Sequence, residues 1–338
     1  MRLDTRSALA RAQHDANARF AAEYTPRSAP RGDRRRVLVT GFGRFLDQPT
    51  NATGQMVSAL LPELHYPQTA RPPAGAPDLP GPQTRVATGT VELPGVGEVD
   101  LCAMILPVFW DLAAVLALRE IERFEPELVL MNGIASPRQD LWVELGAANR
   151  AAILPDGSDR IAPDPLAGQG FARVLPAAPD SEALRGSRLS WAAVTSATRA
   201  AIAAWAGVIE GGARLDEVLP DVSLAGFPRE GNAYLCNHLA YLVGYAMDHP
   251  GHTLTLMEPT PALRGELPGV SAVLTRDHRE TPRAFFHWPS DLRGAHLAAG
   301  AEVMRAALGA QLAATRDGDL PTVGANDLAE LLPGGDTY

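Results

Sequence analysis

Lysine is absent from all 338 residues, so the strongly basic side chains are all arginines. Alanine is abundant throughout, and together these traits read as a compositional bias. Alanine-rich stretches therefore carry little weight as helix signals. Cysteine occurs twice, at Cys102 and Cys236. Two thiols make no disulfide framework, which points to a reducing cytoplasm. No apolar run is long enough to span a bilayer, and the N-terminus lacks the apolar stretch of a secretory signal. The expectation is a cytoplasmic protein in which the sequon Asn51-Ala52-Thr53 stays unglycosylated. Excess positive charge is missing too: the net charge of -9 argues against a nucleic-acid partner or an anionic membrane surface.

Two cofactor signatures are also missing. Gly41 and Gly43 follow a short apolar run, yet Leu46 stands where a dinucleotide loop needs its third glycine, and Pro49 interrupts before any helix. The residues His238, His249, His252, His278 and His296 show no zinc-ligand spacing. No metal and no cofactor are expected. Aromatic content is only 6%, against 46% hydrophobic residues, which fits an ordinary globular core.

What is present reads as one enlarged domain. Residues 1–36 form a polar helix, about Thr5 to Tyr24, and a basic linker; they suit a docking arm for a neighbouring subunit or a loose tail. Residues 37–314 form the domain proper, with Pro-rich insertions near 65–82 and 155–180, the first read as irregular surface. Residues 315–338 are a tail with one helical turn at Asn326 to Leu332. Within the domain, Val37–Val39, Asp100–Leu106 and Pro126–Gly133 are apolar runs of the kind that form buried strands. Arg85–Leu93, Asp221–Ala225, Thr253–Met257 and Arg283–His287 are further strands. Helices are expected at Gln55–Leu61, Trp110–Phe124, Ser190–Val208 and Asp291–Ala314. The alternation argues for an α/β sheet whose site lies at the carboxyl ends of its strands, with Phe42 and Phe45 as exposed aromatics of the first loop.

Three residues carry chemistry. Leu235, Leu239, Leu242, Val243 and Ala246 recur at helical spacing, which puts Cys236 in the first turn of a helix entered through Gly231-Asn232. Unpaired N–H groups and the helix dipole there favour a thiolate and could receive an oxyanion. Packed core thiol is the competing reading, as it is for Cys102. Glu144 stands between apolar residues, where a buried carboxylate needs a partner such as histidine or arginine; a surface glutamate on a twisted strand is the competing reading. His287 ends a strand between Phe286 and Trp288, where an ordinary packed imidazole is the competing reading. A thiolate, an imidazole that serves as base and then acid, and a carboxylate that fixes the imidazole tautomer make a hydrolytic triad.

Four segments resemble the pyroglutamyl peptidase I family of cysteine peptidases. Val39-Thr40-Gly41-Phe42 with Phe45, Asn51 and Thr53 is similar to its first strand and loop. Gly133 through Arg138 to Glu144, with Asn149 and Pro155-Asp156, resembles its glutamate segment. Tyr234-Leu235-Cys236-Asn237-His238 with Tyr241 resembles its nucleophile helix, and Phe286-His287-Trp288-Pro289 its histidine segment. The resemblance spans about Val37 to Ala314. It implies a three-layer α/β/α sandwich of the phosphorylase/hydrolase-like kind around a mixed, mostly parallel sheet, with neither metal nor cofactor. It further implies Cys236 as nucleophile, His287 as general base and acid, and Glu144 as orienter. Phe42 and Phe45 would sandwich a pyrrolidone ring, with Arg138 and Asn51 as further substrate contacts. The implied substrate is a small peptide or amide, and the implied assembly a homodimer or homotetramer. The chain departs from the family pattern at Ile134, where a glutamine is usual, at Ser136-Pro137, at Ile153 or Leu154, at Gly231-Asn232 and at Gly43-Arg44. These departures motivate a second reading, a non-catalytic ligand-binding protein on the same scaffold. A nucleoside-handling protein is a third, disfavoured by the lack of a basic phosphate cradle.

Overall fold

In a computed structural model of the chain, which describes residues 1–30, 32–46, 48–165, 170–225 and 233–317, a seven-stranded sheet organises the domain. Its strands are β1 (Arg36–Phe42), β2 (Arg85–Leu93), β3 (Gly97–Leu106), β4 (Leu128–Ile134), β5 (Leu141–Glu144), β6 (Val222–Ala225) and β7 (Arg283–Trp288). Their order across the sheet is β6-β5-β7-β4-β1-β3-β2. Strands β3, β1, β4 and β7 run parallel. β2 closes one edge antiparallel to β3, and β5 with β6 runs antiparallel to β7 at the other. The sheet is mixed and mostly parallel.

Helices cover both faces, which is why the central strands read as continuous apolar runs rather than alternating ones. The helices are α1 (Ala8–Glu23), α2 (Ala52–Leu60), α3 (Leu112–Phe124), α4 (Trp191–Trp205), α5 (Leu235–Asp248) and α6 (Ala295–Asp317). Strand alternation sorts the core into two halves. Leu38, Met104, Met131 and Phe285 pack with α1, α3 and α5. Val37, Val39, Leu130 and Phe286 pack with α2, α4 and α6. The result is a three-layer α/β/α sandwich. On α5, Leu239, Leu242, Val243 and Ala246 are buried at the spacing read from the sequence; each large apolar side chain there contributes about 2 kcal/mol to fixing the helix.

The N-terminal segment is part of this core. Ser7 caps α1 by accepting from the Ala10 N–H, and Ala18 and Ala21 are buried. Tyr24 donates its hydroxyl to the buried Glu120 of α3, which also accepts from the N–H groups of Arg27 (2.8 Å) and Ser28 (3.0 Å). Residues 8–28 are therefore not a loose tail. The reading of 65–82 as surface is corrected at its end for the same reason. Asp78 is buried, pairs with the buried Arg44, and exchanges hydrogen bonds with Gln13 of α1 through its backbone (2.6 and 2.7 Å). The strand read at Thr253–Met257 is present as Leu254–Met257, pairing antiparallel with Val270–Ala272 outside the main sheet. The turn read at Asn326–Leu332 and the Gly231-Asn232 entry lie outside the described residues.

Candidate active site

The two cysteines have opposite surroundings. Cys102 is fully buried in β3, and burial, with Glu120 nearby, pushes its thiol well above the ordinary range. That thiol stays protonated and inert. Cys236 is half-buried and is the second residue of α5. The N-cap, Tyr234, places no side-chain acceptor on the helix terminus, so the first-turn N–H groups beside the sulfur have no cap.

The glycine at position 133 makes room for that sulfur. A Cβ at Gly133 would lie 2.7 Å from Cys236 Sγ and 2.9 Å from Phe285 Cζ. In the parallel β4–β7 pair, Gly133 sits opposite His287, so one bare position on β4 puts the thiol beside the imidazole. Sequence reasoning treated Gly133 only as a strand end, although a glycine closing a buried strand is the available sign of close approach. Gly133→Ala is expected to fold but to displace the sulfur, lowering turnover of any Cys236-dependent reaction about a hundredfold. A crystal structure of the variant with Sγ unmoved, or full turnover, would count against this account.

Glu144 reaches His287 by a route the sequence did not reveal. β5 runs antiparallel to β7, with Phe286 opposite Val143 and His287 opposite Trp142. Continuing that register places Glu144 across from Phe285, on the same face as His287 and diagonal to it. Glu144 is the last residue of its strand, the carboxyl end expected of it, although that strand runs antiparallel to β7. His287 Nδ1 and Glu144 Oε1 are 2.6 Å apart, and both side chains are buried. The ring of Phe285 packs on His287 at 4.8 Å between centroids.

Burial opposes the imidazolium of His287. A Cys236 thiolate beside it, its hydrogen bond to Cys236, and the Glu144 carboxylate outweigh that, and the imidazole is raised to about 10. The imidazole thus stands between the sulfur on one side and the carboxylate on the other. This arrangement can attack a carbonyl carbon and then protonate a leaving group.

Asn237, which sequence reasoning passed over, ties the site together. Its side chain accepts from the Ala148 N–H (2.7 Å) and donates to the carbonyls of Ala148 (2.9 Å) and Arg150 (2.7 Å). The segment following Glu144 is thereby clamped to the helix that carries Cys236.

Next to the thiol lies a cavity of about 60 Å³ lined by Phe42, Phe45, Asn51, Val108, Ile134, Tyr234, Leu235 and Cys236. Phe45 and Asn51 are among the lining residues. Phe42 also lines the cavity but is buried, not exposed. Tyr234 forms a wall the sequence did not single out, edge-on to Phe45 (5.8 Å) and Trp110 (5.2 Å). Arg138 is not among the lining residues; it is largely exposed and faces Asp291 at 3.9 Å. A larger hollow of about 420 Å³ is lined by Leu3, His14, Asp111 and Glu258 among others. No cysteine lines it, so size does not locate the chemistry. Among the described residues no cluster of side chains could hold a metal ion, and no helix is long and apolar enough to cross a membrane.

The chain course is similar to that of several solved structures. Pyroglutamyl peptidase I of Bacillus amyloliquefaciens is 13% identical, over 83% of this chain and 97% of that one, with a TM-score of 0.49. The pyrrolidone carboxyl peptidase of Thermococcus litoralis is 17% identical, over 85% and 98%, with a TM-score of 0.48. A mutant pyrrolidone carboxyl peptidase of Pyrococcus furiosus is 16% identical, over 82% and 98%, with a TM-score of 0.45. No protein-family model and no curated protein matches the sequence. A likeness at this level concerns the path of the chain; the chemistry has to be argued from the site's own atoms.

Proposed function

We propose that the protein is a cysteine peptidase of the amidohydrolase type, which removes an N-terminal pyroglutamyl or related small cyclic acyl group from a peptide or amide. The observation that carries this reading is the contiguous Cys236–His287–Glu144 chain, with the apolar cavity at its sulfur end.

The Cys236 thiolate attacks the amide carbonyl carbon, forming a C–S bond, and the carbonyl oxygen takes the negative charge. The uncapped N–H groups at the start of α5 face that oxyanion. Collapse breaks the C–N bond while the His287 imidazolium gives its proton to the departing amine. Neutral His287 then takes a proton from water as that water attacks the thioester. Breaking the C–S bond releases the acid and restores thiolate and imidazolium. Amide plus water has become acid plus amine.

Mass spectrometry of protein quenched during turnover of a pyroglutamyl aminocoumarin amide tests the reading. The expected result is an acyl adduct on the peptide containing Cys236, an initial burst of dye, and loss of both after iodoacetamide treatment. Cys236 that alkylates no faster than a model thiol, with no adduct and no dye release, overturns the hydrolase and leaves a ligand-binding protein on this scaffold.

A further inference from the structure

Arg283, Phe285 and His287 lie on one face of β7, the face that α5 covers. Beside Phe285 is a cavity of about 10 Å³, room for one water or one monatomic ion. Arg283, Arg185, Ser187 and Gly244 line it together with Phe285. It adjoins the small space around Cys236 and His287, with which it shares Gly146, Ala240 and Phe285.

Both guanidiniums bring donors that no protein group meets. Arg283 is only 4% exposed. Its Nη2 donates to Asp248 Oδ1 at 2.5 Å, whereas Nε and Nη1 are buried without a hydrogen-bond partner among the described residues. Arg185 donates through Nη1 to Asp248 Oδ2 at 2.9 Å and through Nη2 to Glu182, and its Nε is likewise buried and unpartnered. A Cβ on Gly244 would lie 3.7 Å from both Arg283 Nε and Arg185 Cβ. The two side chains therefore converge on a bare position of α5. Glycine weakens a helix interior relative to alanine, and here it leaves the space between them.

Charge points the same way as the donors. Arg188 faces Arg283 across an antiparallel bridge. These three guanidiniums, none more than 14% exposed, meet Asp248 and Glu182, each about a quarter exposed, and Glu280, which is 86% exposed. Glu182 is also shared with His249. Burial holds the Arg283 guanidinium below its ordinary range despite Asp248, and Arg188 and Arg185 add to that. Buried donors on a cation are costly to leave without an acceptor, and an anion meets both the donors and the charge.

We propose that this cavity binds a monatomic anion, chloride, held by Arg283 Nε and Nη1 and by Arg185 Nε. The site is independent of the acyl-transfer reading and stands even if Cys236 is no nucleophile.

Crystals of the full chain grown in bromide test it by anomalous diffraction. The expected result is a bromide peak within hydrogen-bonding reach of Arg283 Nε and Arg185 Nε. Density there without an anomalous signal means a buried water only and overturns the proposal. In solution, exchanging gluconate for chloride at roughly 0.15 M and constant ionic strength should raise Tm by about 2 °C. Gly244→Ala leaves both arginines in place, suits the helix and puts a methyl group into the cavity. It should fold, match or exceed the wild-type Tm in gluconate, and lose both the chloride shift and the bromide peak. Equal Tm values of the wild type in the two salts, or an equal chloride shift in Gly244→Ala, overturn the proposal.

Discussion

Glu144→Gln is expected to lower kcat for the amide substrate by three to four orders of magnitude (roughly, by analogy with carboxylates that orient a catalytic imidazole) while leaving KM nearly unchanged. The reason is geometric and electrostatic together. Glu144 Oε1 lies 2.6 Å from His287 Nδ1 and so fixes which nitrogen faces the thiol. Glutamine fills the same space but can present its amide to Nδ1 and invert the tautomer. A pH profile separates this role from mere packing. Burial works against the His287 imidazolium, but the Cys236 thiolate, its hydrogen bond and the Glu144 carboxylate raise it to about 10. Imidazolium is the acid that protonates the leaving amine, so turnover should fall as pH rises through about 10. Without the carboxylate the alkaline limb should move downward. Cys236→Ala and His287→Ala should reach background rates. A Glu144→Gln enzyme within tenfold of wild type, its alkaline limb unmoved, would reduce Glu144 to a structural partner.

The legible part of this site follows from local chemistry, and the illegible part from strand direction. Helical spacing from Leu235 to Ala246 placed Cys236 in a first turn, and α5 begins at Leu235. Apolar runs marked β1, β3, β4 and β7, because strands covered on both faces need no polar alternation. Glu144 was visible as a carboxylate in want of a partner. Its partner was reachable only through an antiparallel pairing that no local pattern encodes. Gly133 and Asn237 were missed for a related reason. One acts through an absent Cβ and the other through backbone groups of 148–150, and both depend on which segments meet in space. Arg138 shows the opposite error. It follows β4 closely in sequence, but its side chain faces Asp291 and is not among those lining the cavity. Likewise the polar residues of α1 concealed a buried face, where Gln13 and Asn17 bond each other at 3.0 Å inside the fold.

Asp156→Asn is expected to stabilise the protein above neutral pH by about 4 kcal/mol, or about 6 °C in Tm for a chain of this length. Asp156 is fully buried. One carboxylate oxygen accepts from the Ser158 N–H (3.0 Å) and hydroxyl, and the other has no hydrogen-bond partner. Burial above all, with the nearby Asp78 charge adding to it, raises the carboxyl from 3.8 to about 7 despite the Ser158 and Trp110 contacts. Between pH 4 and 7 the unfolded chain is ionised here while the folded protein keeps the proton. Folding then takes up a proton, so stability falls as pH rises across this window and levels off above it. Asparagine can accept the same two Ser158 bonds without a charge. Its advantage should be absent near pH 4, grow to pH 7 and then stay constant in thermal scans of the two proteins. Parallel Tm profiles from pH 4 to 8 would show that Asp156 does not titrate there. The location links this cost to the site: the Pro155 carbonyl holds the Tyr234 hydroxyl and the Gly157 N–H holds the Val108 carbonyl, so the turn around Asp156 braces two walls of the acyl cavity. An ionised Asp156 loosens that brace, and KM of the wild type should rise above pH 7 while that of Asp156→Asn stays level.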